Sequence, residues 1–379
     1  MSYNNSKLFE DPHSIYPTVM AEQDFLRYIS ECKTLIETTR QDLATNPEAA
    51  KIIEANCPYE LNPTGTPRGA ALLLHGLYDS PFIMKDIAEH LQKSGLKIRS
   101  LLLPGHGSVP GALLNVRYQE WLDTVEHGLK GLAKEFKKIW LIGFSTGGTL
   151  ALYHALKKTL PAVAGVVLLA PAIKISALSN ITHIPPKLGI AWYHKDHELD
   201  YSKYESFTFN SIYQLHLLIN DIKQLSKTKL DCPLLMILSA DDRTVNCSAA
   251  IDFFQKYASS DSQLILYRSP SYAAKRNTGN LADTVLRKTT FDSLHIRGIS
   301  HISIPVAPDN MHYGQHGDYI YASRIDAAAD IIYIGDNTPT DIAKNYLHKY
   351  GLYPHQFARL TYNPDFEFLK NSISQFVDK

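Results

Sequence analysis

Gly143-Phe144-Ser145-Thr146-Gly147 follows the apolar run Ile139-Trp140-Leu141-Ile142 and leads into Gly148-Thr149-Leu150-Ala151-Leu152-Tyr153-His154-Ala155-Leu156. That order reads as strand, sharp turn, helix. A serine at such a turn is forced into a strained backbone, and glycines flank it because a Cβ would strike the neighbouring strand or helix. The turn lifts the Ser145 hydroxyl clear of the sheet edge. The backbone N–H of Thr146 faces the same space from a helix N-terminus. One element therefore offers a nucleophile and half of an oxyanion hole.

Working outward, residues 68 onward alternate short apolar strands with amphipathic helices, the pattern of a mainly parallel sheet covered on both faces. Strands are expected at 69–74, 97–103, 138–143, 164–170, 233–239 and 263–268. Helices are expected at 82–94, 118–136, 146–158, 247–258 and 364–378. Residues 22–56 read as helical, with Phe25, Leu26, Ile29, Cys32, Leu35 and Ile36 on one stripe that docks on the body. Pro58, Asn62-Pro63, Gly65 and Pro67 form a breaker-rich linker after it. Two intervals, 172–230 and 269–360, break the alternation, and such excursions tend to be lids or binding loops.

A hydroxyl is a weak nucleophile at neutral pH, so Ser145 needs a base and a group that orients the base. In open parallel sheets these gather beyond the carboxyl ends of the strands. The run Leu234 to Ser239 ends in Ala240-Asp241-Asp242, with Val245 resuming apolar character. Asp242 is the expected orienting acid and Asp241 its competitor; both also fit a helix cap. Among the histidines downstream, His295, His301, His312, His316, His348 and His355, the expected base is His301, with His312 as the fallback. His295 falls in a stretch, Phe291–Ile296, that reads as a possible strand, where a structural histidine is expected. The second oxyanion donor is expected from His75-Gly76-Leu77 after strand 69–74, with Gly76 turning the backbone so that Leu77 N–H faces Ser145. His75 then braces the loop. Leu103-Pro104-Gly105-His106-Gly107 follows the next strand and is placed on the same rim.

Taken together these residues resemble the α/β-hydrolase superfamily, most closely its carboxylesterase and monoacylglycerol lipase or lysophospholipase-like branch. The resemblance rests on His75-Gly76, Leu103 to Gly107, Gly143 to Gly148, Asp242 with Val245, and His301, in the order of the family, and covers about residues 68–268. It implies a doubly wound, mainly parallel α/β sheet of about eight strands with a cap insertion near 172–230 and a long loop insertion near 269–290. Residues 1–66 are then an N-terminal helical extension packed on a hydrolase domain of 67–379. It also implies a Ser145-His301-Asp242 triad, an oxyanion hole from the N–H groups of Leu77 and Thr146, and hydrolysis of an acyl glycerol, lysophospholipid or small acyl ester through an acyl-enzyme. Ser239 stands where relatives place a glycine three residues before the acid, and a long stretch separates strand 263–268 from His301. A thioesterase or serine peptidase on the same triad, and a binding protein that kept the scaffold without the chemistry, are the other readings.

The cap stretch holds Trp192, Tyr193, Tyr201, Tyr204, Phe207, Phe209 and Tyr213. These suit either a roof over an acyl chain, with Gly76, His106, Trp192 and Tyr193 nearest the substrate, or the cap's own core. His194, Asp196, His197 and Asp200 match no strong ligand spacing and read as a solvated polar turn, so no metal or organic cofactor is called for. Ser269 to Lys288, with Lys275, Arg276, Arg287 and Lys288, reads as a mobile basic loop. Lys plus Arg and Asp plus Glu are equal at 38 each, without long runs of one sign, so a nucleic-acid partner is not expected. The longest apolar run, Ala162 to Ile173, is too short to span a bilayer. Four cysteines far apart fit a reducing, cytoplasmic setting.

Overall fold

The computed structural model describes residues 5–17, 25–160, 163–175, 177–269, 283–319, 331–336 and 356–379. Its strands are β1 (Tyr59–Leu61), β2 (Gly69–Leu74), β3 (Leu96–Leu101), β4 (Ile139–Phe144), β5 (Val163–Leu169), β6 (Trp192–His194), β7 (Phe207–Thr208), β8 (Leu234–Ser239), β9 (Gln263–Tyr267), β10 (Thr284–Arg287), β11 (Ile331–Ile334) and β12 (Gln356–Arg359). Its helices are α1 (Phe25–Thr39), α2 (Ala49–Asn56), α3 (Lys85–Lys93), α4 (Tyr118–Ala133), α5 (Thr146–Lys157), α6 (Ile184–Lys187), α7 (Phe209–Leu225), α8 (Cys247–Tyr257) and α9 (Phe366–Val377).

Continuous apolar runs drive β2, β4 and β8 into the interior, where every residue of each is buried, as expected for strands covered on both faces. Among the described residues the main sheet has eight strands in the order β1-β3-β2-β4-β5-β8-β9-β10, parallel except for the antiparallel edge strand β1. The chain leaves β2 for β3 on one side and returns to β4 on the other. Strand order therefore reverses between β2 and β4, and a crevice opens beyond their carboxyl ends, the usual ligand position in such sheets. Leu74 pairs with Gly143 at that point, so the loop after β2 and the turn after β4 emerge side by side.

The helical stretch expected over 22–56 is divided among its described residues. α1 ends at Thr39, a 3-10 turn spans Gln41–Thr45, and α2 follows. Arg40 is drawn onto Asp42 by three side-chain hydrogen bonds at this break. The buried stripe of α1 is Phe25, Tyr28, Cys32 and Ile36, while Leu26 is 60% exposed. Tyr28 fastens it to the body by donating to Leu102 O at 2.9 Å.

The excursion after β5 forms a cap. β6 and β7 pair antiparallel, Thr208 caps α7 by accepting from Ser211 N, and α7 buries Leu215, Leu218, Ile219 and Ile222. The second excursion holds a strand within the stretch expected as a basic loop. Residues 270–282, including Lys275 and Arg276, lie outside the described residues, but Thr284–Arg287 extends the sheet as β10. There Arg287 makes two bonds to Asp365. Phe291–Ile296 is not a strand: it is a 3-10 turn closed by one Phe291–Ile296 bridge, with His295 exposed at φ +53°. β11 and β12 form a separate parallel pair, which Ile296 joins through Tyr333. No helix among the described residues is long and apolar enough to cross a membrane. None of the four cysteines is in a disulfide.

Candidate active site

Ser145 sits at φ +53°, ψ −117° between β4 and α5, a conformation strained for any residue with a Cβ. The turn survives because its neighbours are glycines. A Cβ on Gly143 would lie 2.2 Å from Gly147 O, and one on Gly147 would lie 2.2 Å from Leu74 O. Ser145 N donates to Leu169 O at 2.9 Å, and Ser145 O accepts from Thr149 N and Ala172 N. Three backbone hydrogen bonds thus hold the strained residue in place.

Asp242 leaves the end of β8 in a tight turn whose own backbone neutralises one carboxylate oxygen: Oδ1 accepts from Thr244 N at 2.8 Å and Val245 N at 3.0 Å. The other, Oδ2, lies 2.6 Å from His301 Nδ1. Both side chains are buried. Burial alone would push the His301 imidazole down; the charge and hydrogen bond of Asp242 outweigh this, with Asp336 adding, and hold it above the usual histidine value. The His301 ring packs on Phe144, the residue before Ser145, with centroids 4.8 Å apart. Asp241 faces elsewhere and accepts from Ile299 N.

Two residues tie the Asp242 turn to the His301 loop. Ser239 donates to Ile299 O at 2.7 Å, which accounts for a serine at the position relatives give to glycine. Asp336, just past β11, accepts from His301 N and Arg243 N through Oδ2, both at 3.1 Å, and from Arg359 Nε through Oδ1 at 2.7 Å. This carboxylate brackets both candidate residues, yet no motif announces it. Its only sequence signal is an acid after a short β-rich run.

On the other side of Ser145, Gly76 begins the loop after β2. The space a Cβ would fill on Gly76 lies 2.3 Å from Asp79 Oδ2 and 3.2 Å from Ser145 Cβ, so only glycine lets this loop approach. Tyr78 takes φ +71° to complete the turn. His75 braces it from below, its Nε2 accepting from Leu103 N. Burial holds His75 well below the usual imidazole value. Leu77 and Thr146 both line the cavity above Ser145, and neither N–H meets a loop or turn carbonyl among the described residues. Burial pushes the Asp79 carboxyl up to about 6, against the pull of Lys203 and His301.

The cavity encloses about 620 Å³ and is bordered by Ser145, His301, the Leu77–Asp79 loop and the cap. The family model described as "Serine aminopeptidase, S33" matches residues 65–197. A thermostable monoacylglycerol lipase of Bacillus sp. (strain H-257) is 29% identical over 211 residues, which is 54% of this chain and 82% of the relative. The fold is that of the α/β hydrolases. Among solved structures, it is similar to one described with LipS and LipT, two metagenome-derived lipolytic enzymes, at 21% identity, covering 55% of this chain and 86% of that one with a TM-score of 0.48. It is also similar to the monoacylglycerol lipase of Paleococcus ferrophilus at 17% identity, covering 55% and 87%, with a TM-score of 0.47.

Around this cavity the remaining candidates divide. Tyr193 borders the cavity, as do Phe207, Tyr204 and Tyr78. Trp192 does not; it packs edge-on to Phe9 at 5.3 Å. His106 is also absent from the lining. It is fully buried, faces Leu103 O and Pro104 O, stacks on Tyr204, and burial pushes it down to about 4. Gly76 lies beneath the cavity as backbone. His312 is excluded as base because both ring nitrogens face carboxylates, Asp200 at 3.0 Å and Asp318. His316 is exposed, and His348 and His355 lie outside the described residues. Asp200 departs from the solvated turn expected for it: it is buried, takes Tyr313 OH as well as His312, and is held down to about 2, with burial opposing and the His312 and Lys203 contacts prevailing. His194, Asp196 and His197 do stay exposed. No group of three or more His, Cys, Asp or Glu suited to a metal ion occurs among the described residues.

Proposed function

We propose that this hydrolase cleaves carboxylic esters by acyl transfer to Ser145, with His301 as general base and Asp242 as the residue that orients it. The observation that carries the reading is the 2.6 Å Asp242–His301 contact, made by a histidine that borders the same cavity as the strained Ser145. With Nδ1 donating to Asp242, Nε2 is free to take the Ser145 proton as Oγ attacks the carbonyl. The oxyanion that forms is met by Leu77 N–H and Thr146 N–H, each such donor being worth about 3 to 4 kcal/mol of transition-state stabilisation. His301 then returns the proton to the departing alcohol, and water cleaves the acyl-enzyme by the same steps.

A lipid-like acyl portion is supported by the apolar cap lining of Ile175, Ile212 and Leu215 and by the relative named a monoacylglycerol lipase. Exposed Ile181, Ile184, Leu188 and Ile190 on the cap add a surface suited to poorly soluble substrate. We read residues 67–379 as the hydrolase domain, 172–230 as its cap and 1–66 as an extension. A cytoplasmic setting accords with four cysteines that form no disulfide. The peptidase reading is favoured by one observation, the description of the matching family model. Hydrolysis of matched ester, thioester and amide substrates by the wild type and Ser145→Ala separates the readings. Esters are expected to be cleaved fastest, and Ser145→Ala is expected to abolish turnover. Full ester activity in that variant refutes the proposal.

A further inference from the structure

The cavity lining is of two kinds. Ile175, Ile212 and Leu215 make one part apolar, whereas two cations, Lys203 from the cap and Arg359 from the end of β12, border it as well and act electrostatically on each other, with Arg359 also acting on His301. The Lys203 side chain is 16% exposed and lies over the rings of Tyr319 and Tyr313 at 5.2 and 5.6 Å. Its ion contact, to Asp200 Oδ2, is 3.7 Å long, beyond hydrogen-bond distance. Asp200 is already engaged by His312, Tyr313 and Ser202. Burial would pull the ammonium down, but the Asp200 charge outweighs it, so Lys203 stays cationic. Among the described residues its three donors have no acceptor at hydrogen-bond distance, a shortfall that a buried charge makes good from water or a ligand.

Arg359 shows the same surplus. Its Nε donates to Asp336, its side chain is 45% exposed, and its remaining four donors meet no acceptor among the described residues. Both cations interact electrostatically with Asp79, and Arg359 does so with His301. A base that protonates the leaving oxygen must have the alcohol portion on its own side of the serine. The positive part of the cavity is therefore the leaving-group part. Among the described residues Asp79 is the carboxylate that borders the cavity, and Asp200 and Asp336 do not line it.

We propose that Lys203 and Arg359 form a subsite for an anionic group, a phosphate or a carboxylate, on the alcohol portion of the ester. The subsite rests on the ester-hydrolase reading above and names its substrate class: an acyl chain under the cap and a charged alcohol between the two cations. Guanidinium supplies a planar fork and ammonium a point charge, a pairing suited to oxyanion groups.

The test uses three esters that share one medium-length acyl chain and differ in alcohol: glycerol, glycerol 3-phosphate and glycerate. At least one charged ester is expected to exceed the glycerol ester about tenfold or more in kcat/KM, as befits hydrogen bonds to charged groups; the two charged arms distinguish phosphate from carboxylate. Lys203→Met and Arg359→Gln are each expected to reduce that charged-to-neutral ratio about tenfold, a ratio taken within one preparation and so insensitive to the folded fraction. A wild-type ratio at or below one for both charged esters overturns the subsite, and so does a ratio unmoved in both variants. If none of the three esters is cleaved, the ester-hydrolase reading falls first and the subsite with it.

Discussion

Asp242→Asn isolates the role of a single charge, because the structure dictates how the replacement amide must lie. Two backbone donors, Thr244 N and Val245 N, converge on Oδ1. Turning the amide so that its NH2 faced them would forfeit both bonds, about 2 kcal/mol in all. The amide therefore keeps its oxygen on the backbone and presents Nδ2 to His301. Donor then faces donor, and the imidazole is driven to the tautomer with its proton on Nε2. In that form it cannot accept the Ser145 proton. The expected consequence is a fall in kcat of about 10⁴, equivalent to about 5.4 kcal/mol of barrier, with KM changed far less. Steady-state hydrolysis of p-nitrophenyl esters measures it, with circular dichroism confirming the fold. A kcat within tenfold of wild type, or a loss confined to KM, refutes the tautomer assignment.

Further expectations concern pH and packing. Because His301 is held above the ordinary imidazole value and is the base we propose, which must be neutral to act, kcat/KM should fall as pH drops through a pKa above about 6.5. Asp336→Asn removes one charge that raises it, so the acid limb should move to lower pH, a shift that loosened packing alone would not produce. The buried Asp79 carboxyl is raised to about 6 from an ordinary value near 4, so its ionisation costs the folded state at most about 3 kcal/mol. Its folded value exceeds its unfolded one, so that stability is present below pH 4 and is lost by pH 6. Asp79→Asn should abolish this loss and be the more stable protein at pH 8, as urea midpoints will report. Gly147→Ala places a methyl 2.2 Å from the Leu74 carbonyl, a backbone atom that cannot swing aside. It should cost 3 kcal/mol or more, on the order of severe overpacking, and lower the urea midpoint accordingly.

The sheet from β2 to β9 was legible because each of these strands is a short apolar run bounded by turn residues, and burial on both faces leaves few alternatives. The Ser145 elbow was legible for the same local reason, since three glycines mark where backbones touch. Asp242 and His301 emerged from chain order and strand ends, without any local pattern for the base. The region after β9 was not legible. The residues that seat His301, Asp336 and Ser239, act through contacts 35 and 60 residues away in sequence, and such pairings leave no periodicity to read. His106 misled because a histidine between glycines suggests a rim, whereas Tyr204 from the cap covers it and makes it core. Lys203 and Arg359 lie on different excursions, and only the folded chain brings them to one cavity.

Mass spectrometry of the protein after reaction with a fluorophosphonate tests the nucleophile most directly. A single adduct on the peptide bearing Ser145, formed in step with loss of esterase activity and absent from His301→Ala, is the outcome that the Asp242–His301–Ser145 assignment requires. Esterase activity that persists with Ser145 unmodified, or that disappears through an adduct on another residue, would contradict it.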